Sequence, residues 1–412
     1  MKNHEMKVAY HWLCSVPEIG IEEKKKLIEE AGGVRKVCDM KKGTYSKILT
    51  ARQIKAFEEA LKLDPEKMLE HTEKSGVNFV AICDEEYPKR LRGLLDAPLG
   101  LFVKGKLPSE DVPTVAITGA RIDTEGYCNH NARDFGKGLA RAGIQVISSM
   151  ALGVDGISQK EAISAGGYTA AVLGNGVDVC YPPENRLLYD DLIKKGAVIS
   201  EYSPAEHPSA ERGVERKRLI SGLADAVLVV GARRKSGALI TADFAMTQGR
   251  RIFAIPGRTT DRLSEGCNDL IKSGAAELVT CPEDIIKALN GTRDKERQLE
   301  IILKHNPALD DEHAWIRTID DILTFKEAMD SHGYEGCDKY APDYTRADAE
   351  AALETGEITI YSADVIKPGT FVTPSQMEAD AYSSDGITFT GKVSIKDVAW
   401  IDALQGQYAP LS

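Results

Sequence analysis

Residues 226–237 read Ala-Val-Leu-Val-Val-Gly-Ala-Arg-Arg-Lys-Ser-Gly, an apolar run that ends in a small-residue, basic turn. A continuous apolar run of this length is typical of a parallel strand that is buried on both faces. Five further runs alternate with helix-length amphipathic stretches between residues 113 and 285, namely 115–117, 144–147, 169–173, 197–200 and 251–254. This alternation predicts an α/β fold with a Rossmann-like, doubly wound, mostly parallel sheet.

Glycine and serine follow most of these runs. In an open α/β sheet, ligands bind outside the carboxyl ends of the strands, where small residues let backbone N–H groups approach a phosphate. The turns therefore predict a phosphate cradle, made of Thr118, Gly119, Ser149, Gly174, Gly176 and Gly257. The alternative is that these residues serve ordinary βα turns, which favour the same residue types.

Basic residues stand close to the same turns. One cluster is Arg212 with Arg216-Lys-Arg218, another is Arg233-Arg-Lys235 with Arg250-Arg251, and Arg121 follows the first run. Because Arg and Lys neutralise phosphates, the clusters favour an anionic ligand over a merely solvated surface. The chain has no GxGxxG or GxxxxGK[ST] motif, which weighs against a standard dinucleotide or P-loop site.

Motifs for catalysis or metal binding are poor. The sequence has no GxSxG or HExxH motif and no CxxC pair, and its eight histidines do not cluster with cysteine. Asp155, Asp178 and Asp225 adjoin strands, where such residues more often cap helices or orient loops. We therefore predict no catalytic residue, no metal and no cofactor.

Charge divides the chain of 412 residues. The chain has 52 basic residues (Lys and Arg) and 63 acidic residues (Asp and Glu). Residues 291–412 hold 11 of the basic and 23 of the acidic residues, a net charge of −12. Residues 1–290 hold the other 41 basic and 40 acidic residues, a net charge of +1. We expect three domains: 1–80, 81–290 and an acidic α+β tail, 291–412. No apolar run is long enough for a membrane span, the start does not resemble a signal peptide, and the cysteines are scattered, so we expect a cytoplasmic protein with reduced thiols.

Residues 1–80 carry a helical pattern. Two short helices are predicted on either side of a turn at Pro17–Gly20, as in a helix-hairpin-helix, whose turn can offer backbone N–H groups to a phosphate. The alternative is a small helical packing domain. Residues 87–98 contain two prolines, Pro88 and Pro98, and predict an extended connector to the core.

The order of these motifs resembles the DNA-processing protein A (DprA/Smf) family over about residues 8–285. The residues that carry the resemblance include Thr118-Gly-Ala-Arg121, Ser149-Met-Ala-Leu-Gly-Val-Asp155, Ala171-Val-Leu-Gly-Asn-Gly-Val-Asp178, Arg216-Lys-Arg-Leu-Ile-Ser-Gly-Leu223, Lys235-Ser-Gly-Ala-Leu-Ile-Thr-Ala242 and Phe253-Ala-Ile-Pro-Gly257. The resemblance implies an extended Rossmann-like fold that binds single-stranded DNA as a homodimer. It also implies transfer of the strand to a RecA-type recombinase during natural transformation.

The resemblance implies a set of DNA contacts and shows some departures. The implied contacts are Arg121, Arg216, Lys217, Arg218, Lys235, Ser236 and Gly237. The family usually has asparagine where Lys217 stands and an aromatic-proline pair where Val214-Glu215 stands. Gln159 replaces a common histidine, and Gly231 replaces a common acidic residue.

The tail weakly resembles a small domain of mobile-element and phage proteins that is related in pattern to ADP-ribosyltransferases. The resemblance rests on Ile358–Ser362, Phe371–Ser375, Ala379–Tyr382 and Val398–Asp402, together with Gln405–Tyr408. An active transferase is expected to have Arg or His where Ser362 stands, and Glu near Gln405 and Gln407. We therefore expect an interaction domain without transferase activity.

Together, these patterns predict a single-stranded-DNA-binding protein that is not an enzyme. Two alternatives remain open. One is a nucleotide-binding or nucleotide-sensing protein on the same scaffold, because the turns could hold a nucleotide as well as a strand. The other is a mobile-element effector that acts through its tail.

Overall fold

The computed structural model describes residues 2–123, 126–290, 324–332, 341, 343–368, 370–383, 386–400 and 404–408. They belong to two compact units, Met1–Ile286 and Lys287–Ser412. Among the described residues, no helix has both the length and the apolar character needed to cross a membrane. The seven cysteines in this part of the chain form no disulfide with one another.

The first unit is built on a nine-stranded sheet. Its strands are β1 Asn78–Ala81, β2 Gly100–Gly105, β3 Thr114–Thr118, β4 Gln145–Ser148, β5 Thr169–Val172, β6 Ala197–Ser200, β7 Ala226–Val229, β8 Arg251–Ala254 and β9 Glu277–Leu278. Its helices are α1 Lys2–Ser15, α2 Ile21–Ala31, α3 Lys42–Tyr45, α4 Ala51–Ala60, α5 Pro65–Lys74, α6 Lys89–Arg92, α7 Tyr127–Arg141, α8 Val154–Ser164, α9 Arg186–Lys195, α10 Ala210–Glu215, α11 Lys217–Gly222, α12 Gly237–Thr247 and α13 Glu265–Lys272. Residues 282–290 are also helical, and 3₁₀ turns cover Val34–Asp39 and Pro183–Asn185.

The strand order is β1-β2-β6-β5-β4-β3-β7-β8-β9. Strands β3 to β9 pair with one another in parallel, whereas β2 pairs antiparallel with both β1 and β6. The six predicted strands and the Rossmann-like class are thus confirmed. The chain winds outward from β3 in both directions, toward β6 on one side and β9 on the other, so the topological switch point lies between β3 and β7.

Strands β1 and β2 were not predicted, because a short antiparallel edge extension lacks the strand-helix alternation of the parallel core. Strand β1 crosses the predicted boundary between residues 80 and 81 and is paired with β2 along its whole length. Phe79 of β1 and Phe102 of β2 belong to the same hydrophobic core as Trp12 and Phe57 of the helical segment. The segment therefore packs on the sheet, and its independence as a domain stays a prediction.

The second unit combines helices with short antiparallel strands, in agreement with the expected α+β class. Its elements are α14 Phe325–His332, α15 Arg346–Thr355, β10 Glu357–Ser362, β11 Phe371–Val372, α16 Gln376–Tyr382, β12 Phe389–Ser394, β13 Val398–Trp400 and β14 Gly406–Tyr408. Strand β10 pairs with β12, and β14 pairs with both β11 and β13. The core of this unit includes Phe325 and Trp400, whose ring centroids are 4.7 Å apart.

Candidate functional site

A crevice of about 470 Å³ opens at the carboxyl edge of the sheet, at the switch point between β3 and β7. It is formed by the turns that follow β3, β4 and β7, together with α11 and the start of α12. Eight residues that the sequence predicted as DNA contacts or phosphate cradle line it: Thr118, Gly119, Arg121, Ser149, Arg216, Lys217, Ser236 and Gly237. The fold therefore gathers residues that are up to 119 positions apart (118 to 237) around one space.

The turn after β3 lies directly on the start of α8. A Cβ on Gly119 would be 2.8 Å from Val154 Cγ2, and a Cβ on Gly153 would be 2.3 Å from the Ala120 carbonyl oxygen. Gly153 also has φ 76° and ψ −136°, a conformation that side chains strongly disfavour. Both glycines are needed for this close approach, and the turn from Thr118 to Arg121 lines the crevice.

The turn after β7 presents the N-terminus of α12 to the crevice. Ser236 is the residue before the first turn of this helix, and its hydroxyl is buried with no hydrogen-bond partner among the described residues. A helix start carries free N–H groups and a partial positive charge, both of which favour an anion. Lys235 precedes it with φ 60° and is exposed, although it does not line the crevice.

Arg216 lines the crevice and links the ends of β4 and β5. Its Nη1 donates hydrogen bonds to the carbonyl oxygens of Ser149, at 3.2 Å, and Val172, at 3.1 Å. Its Nε is buried without a hydrogen-bond partner in the described part of the chain. Burial lowers the pKa of Arg216 to about 10, although nearby Asp155 opposes the shift. Arg216 is therefore both a structural link and a donor that is not fully used.

Lys217 lies beside Arg216 and donates a hydrogen bond to the Gly237 carbonyl oxygen, which links α11 to the start of α12. Burial lowers the pKa of Lys217 to about 8; Asp155 opposes this shift, and the positive charges of Arg216 and Arg121 add to it. Because the charged ammonium is disfavoured here, a bound anion would stabilise it.

The charge of the crevice is positive. The described residues of its lining include four cationic side chains, Arg121, Arg216, Lys217 and Arg233, and one carboxylate, Asp155, which accepts a hydrogen bond from Ser149. Arg121 and Arg233 are exposed and form no ion pair with the residues that the structure describes. Arg233 was in a predicted basic cluster but not among the predicted contacts, because the sequence does not show which residue of the triplet 233–235 faces the crevice.

Arg218 does not reach the crevice. Its side chain is 8% exposed, with Nη2 2.6 Å from Glu201 Oε2 and Nε 3.3 Å from Asp96 Oδ2. Burial opposes its charge, but the two carboxylates outweigh this effect and raise the pKa of Arg218. The side chain that the resemblance assigned to DNA thus holds α11 against the body of the first unit.

Three residues of the predicted phosphate cradle also lie away from the crevice and have packing roles. The Gly176 N–H donates to the Glu206 carbonyl oxygen at 2.8 Å, and a Cβ on Gly174 would be 2.7 Å from the Arg212 carbonyl oxygen. The Gly257 N–H donates to Asn268 Oδ1 at 3.1 Å. For these three glycines the geometry favours the ordinary turn chemistry that the sequence left open.

The remaining residues of the basic clusters are engaged elsewhere. Three of them form ion pairs: Arg212 with Glu206 at 2.7 Å, Arg234 with Asp269 at 2.7 Å, and Arg251 with Glu277 at 2.8 Å. Arg250 donates hydrogen bonds to the carbonyl oxygens of Arg90 and Gly222, each at 3.1 Å. Arg234 and Arg233 are adjacent in sequence, yet only Arg233 lines the crevice.

The predicted hairpin at Pro17–Gly20 is present between α1 and α2, but its surroundings are acidic. It lines a second pocket, of about 490 Å³, together with Glu201, Glu206, Glu211 and Glu215. Carboxylates repel phosphate, so this position favours the alternative in which the two helices form a packing element. No group of three or more His, Cys, Asp or Glu side chains that could hold a metal ion exists among the described residues.

Known proteins match the part of the chain that contains the crevice. The family model for DNA recombination-mediator protein A matches residues 78–290. The DNA processing protein DprA of Streptococcus pneumoniae is 40% identical over 206 residues, which cover 50% of this chain and 72% of that protein. Protein Smf of Escherichia coli is 37% identical over 242 residues, which cover 58% and 64% respectively. The X-ray structure of DNA processing protein A from Streptococcus pneumoniae aligns with a TM-score of 0.57 at 32% identity, covering 69% of this chain and 96% of that chain.

Proposed function

Because this chain belongs to the DNA recombination-mediator protein A family, we propose that it is a DNA-processing protein that binds single-stranded DNA. The crevice between β3 and β7 takes the sugar-phosphate backbone. One observation carries this proposal: among the described residues, four cationic side chains and a helix N-terminus surround a space that one carboxylate also lines. Phosphate is the ligand that such a site fits best.

Two buried donors support a phosphate in this crevice. The Ser236 hydroxyl and Arg216 Nε have no hydrogen-bond partner among the described residues. A buried donor without a partner costs roughly 1–3 kcal/mol, and an anionic oxygen that enters the crevice would remove that cost. The same oxygen would stabilise the charged form of Lys217, which burial disfavours.

The size of the crevice favours a single strand over a duplex. Its volume of about 470 Å³ is in the range of small-ligand pockets, about 300–1,000 Å³, and suits a phosphate with its attached nucleoside. The exposed cations Arg121 and Arg233 stand at the lining, where they can reach the neighbouring phosphates of a longer strand. A mononucleotide would fill the crevice but would leave those more distant charges unused.

The finer proposals rest on family membership. They are that the protein is not an enzyme, acts as a homodimer in the cytoplasm, protects single-stranded DNA and loads a RecA-type recombinase in transformation and recombination. Its binding should show little sequence preference, because phosphate contacts carry no direct sequence information.

A matched pair of variants tests the site. Arg121→Ala removes a cation of the crevice lining that has no ion pair among the described residues. Arg234→Ala removes an arginine of the turn after β7 that is paired with Asp269 outside the crevice. Affinity for a fluorescent oligonucleotide is measured by anisotropy with the full chain over a range of salt concentrations. We expect Arg121→Ala to bind roughly tenfold more weakly, equivalent to about 1.4 kcal/mol, with a log-log salt slope about 0.7 shallower. Arg234→Ala should bind like the wild type.

Two results would contradict the proposal. Equal losses in both variants would mean that general surface charge, and not the crevice, attracts DNA. Tighter binding of a mononucleotide than of an oligonucleotide would favour a nucleotide-sensing function on the same scaffold.

A further inference from the structure

The second unit has a cavity of its own, with a volume of about 380 Å³. It lies where β10, β11 and α16 meet, and Gln405, just before β14, also lines it. The floor is made of buried side chains, Val372, Thr373 and Ala379. The acidic tail thus contains a preformed space that the proposed DNA-binding function does not use.

Three aromatic side chains line this cavity. They are Tyr361, Phe371 and Tyr382, which come from β10, β11 and α16. Phe371 is 46% exposed and Tyr382 is 70% exposed. Aromatic rings left in water around a cavity are typical of binding surfaces, and their faces carry the negative part of the ring quadrupole, which attracts cations.

The charged side chains in the lining are both acidic. Glu378 and Asp364 contribute carboxylates, and no Lys or Arg is among the described residues that line the cavity. Glu378 is held in place because Oε2 accepts a hydrogen bond from Thr373 Oγ1 at 2.6 Å and Oε1 accepts one from Gln405 Nε2 at 3.0 Å. Each oxygen keeps a further lone pair for a ligand.

We propose that this cavity binds an organic cation, specifically an alkylated ammonium group. The rings supply the cation–π attraction and the apolar contact for the alkyl groups, and the positioned Glu378 supplies the opposite charge. A nucleotide or another phosphate ligand would meet two carboxylates and, among the described lining residues, no compensating Lys or Arg. A purely apolar ligand would leave the Glu378 carboxylate desolvated, at considerable cost.

The test uses the full chain and isothermal titration calorimetry. The probe is choline, and the comparison ligand is its neutral isostere, in which carbon replaces the quaternary nitrogen. We expect choline to bind and the isostere to bind at least tenfold more weakly. A peptide that carries trimethyllysine serves as a third ligand: tighter binding than choline identifies a protein side chain as the source of the ammonium, and weaker binding identifies a free metabolite.

Three variants connect the binding to the cavity. Tyr382→Ala removes an exposed ring and should weaken choline binding about twofold to thirtyfold, which corresponds to about 0.5–2 kcal/mol of cation–π energy. Glu378→Gln removes the charge and keeps the shape, and it should also weaken the binding of choline but not that of the isostere. Met377→Ala is the control, because Met377 is 54% exposed on the same helix and does not line the cavity.

Thermal unfolding of each variant separates binding from folding. Tyr382→Phe keeps the ring and should retain the affinity of the wild type for choline. Equal affinity for choline and its isostere, no detectable heat with choline at millimolar concentration, or an unchanged affinity in both Tyr382→Ala and Glu378→Gln would overturn the proposal.

Discussion

Replacing Arg218 by alanine should damage the fold of the first unit far more than its binding to DNA. The side chain is 8% exposed, and its partner Glu201 is 11% exposed, at a distance of 2.6 Å. Removing one partner of a buried ion pair leaves the other charge uncompensated, which costs about 3–5 kcal/mol. Asp96 also loses its contact, but it is more exposed and contributes less.

Urea unfolding of the full chain, followed by far-UV circular dichroism, measures the effect. With a slope of about 2–3 kcal/mol per molar urea, the expected loss lowers the midpoint of the transition of the first unit by about 1–2.5 M. The control is Arg234→Ala, whose partner Asp269 is on the surface. An exposed pair contributes about 0–1 kcal/mol, so this midpoint should hardly move.

The same Arg218→Ala protein, kept at a temperature where it is folded, should bind oligonucleotides with the affinity and salt slope of the wild type. Replacing both partners, as in Arg218→Met with Glu201→Leu, should recover much of the lost stability, because no charge remains buried and unpaired. The reasoning is refuted if Arg218→Ala unfolds at the wild-type urea concentration but binds DNA tenfold more weakly. That result would make Arg218 a phosphate contact, as the family resemblance implied.

Four further predictions concern the crevice and the tail. Burial lowers the pKa of Lys217 to about 8, so DNA affinity should fall as the pH rises through about 8, where the ammonium of the DNA-free protein loses its proton. In Lys217→Arg the guanidinium stays charged, and DNA affinity should not change over this pH range. Parallel pH profiles for the two proteins would exclude a contact between the Lys217 ammonium and DNA. Gly119→Ala would bring a Cβ within 2.8 Å of Val154, so it should lower stability by about 1–3 kcal/mol and weaken DNA binding beyond what unfolding explains. Gly174→Ala, away from the crevice, should weaken binding only through its loss of stability. Calorimetry measures the stability of each variant, and anisotropy measures its DNA affinity. A chain that lacks residues 293–412 should bind DNA as well as the full chain or slightly more tightly, because residues 291–412 have a net charge of −12 that repels DNA. The difference should be most visible at low salt, since exposed charges are screened over about 8–10 Å at physiological ionic strength. A large loss of affinity would show that the tail contributes to the DNA site. Labelled NAD incubated with both chains should transfer no label, and transfer that depends on the tail would contradict its interpretation as a non-catalytic domain.

The sequence by itself determined the parallel core of the sheet and much of the crevice. Six apolar runs predicted the six strands from β3 to β8, because a strand buried on both faces must be apolar throughout. The position of the crevice followed from the same pattern, since the carboxyl ends of parallel strands meet at one edge. Thr118, Gly119 and Ser149, which line the crevice, could therefore be predicted from the turns, whereas Gly237 was predicted from the family resemblance.

Only the tertiary structure decided which members of each motif reach the site. Arg216, Lys217 and Arg218 are consecutive, but successive residues around the start of α11 point in different directions, so two line the crevice and one is buried beside Glu201. The glycines after β5 and β8 look like those after β3 in sequence, yet Gly176 and Gly257 already donate their N–H groups to nearby oxygens. A sequence shows the types of residue that follow a strand; the directions of their side chains, and the partners already bound to their polar groups, depend on segments that are distant in the chain.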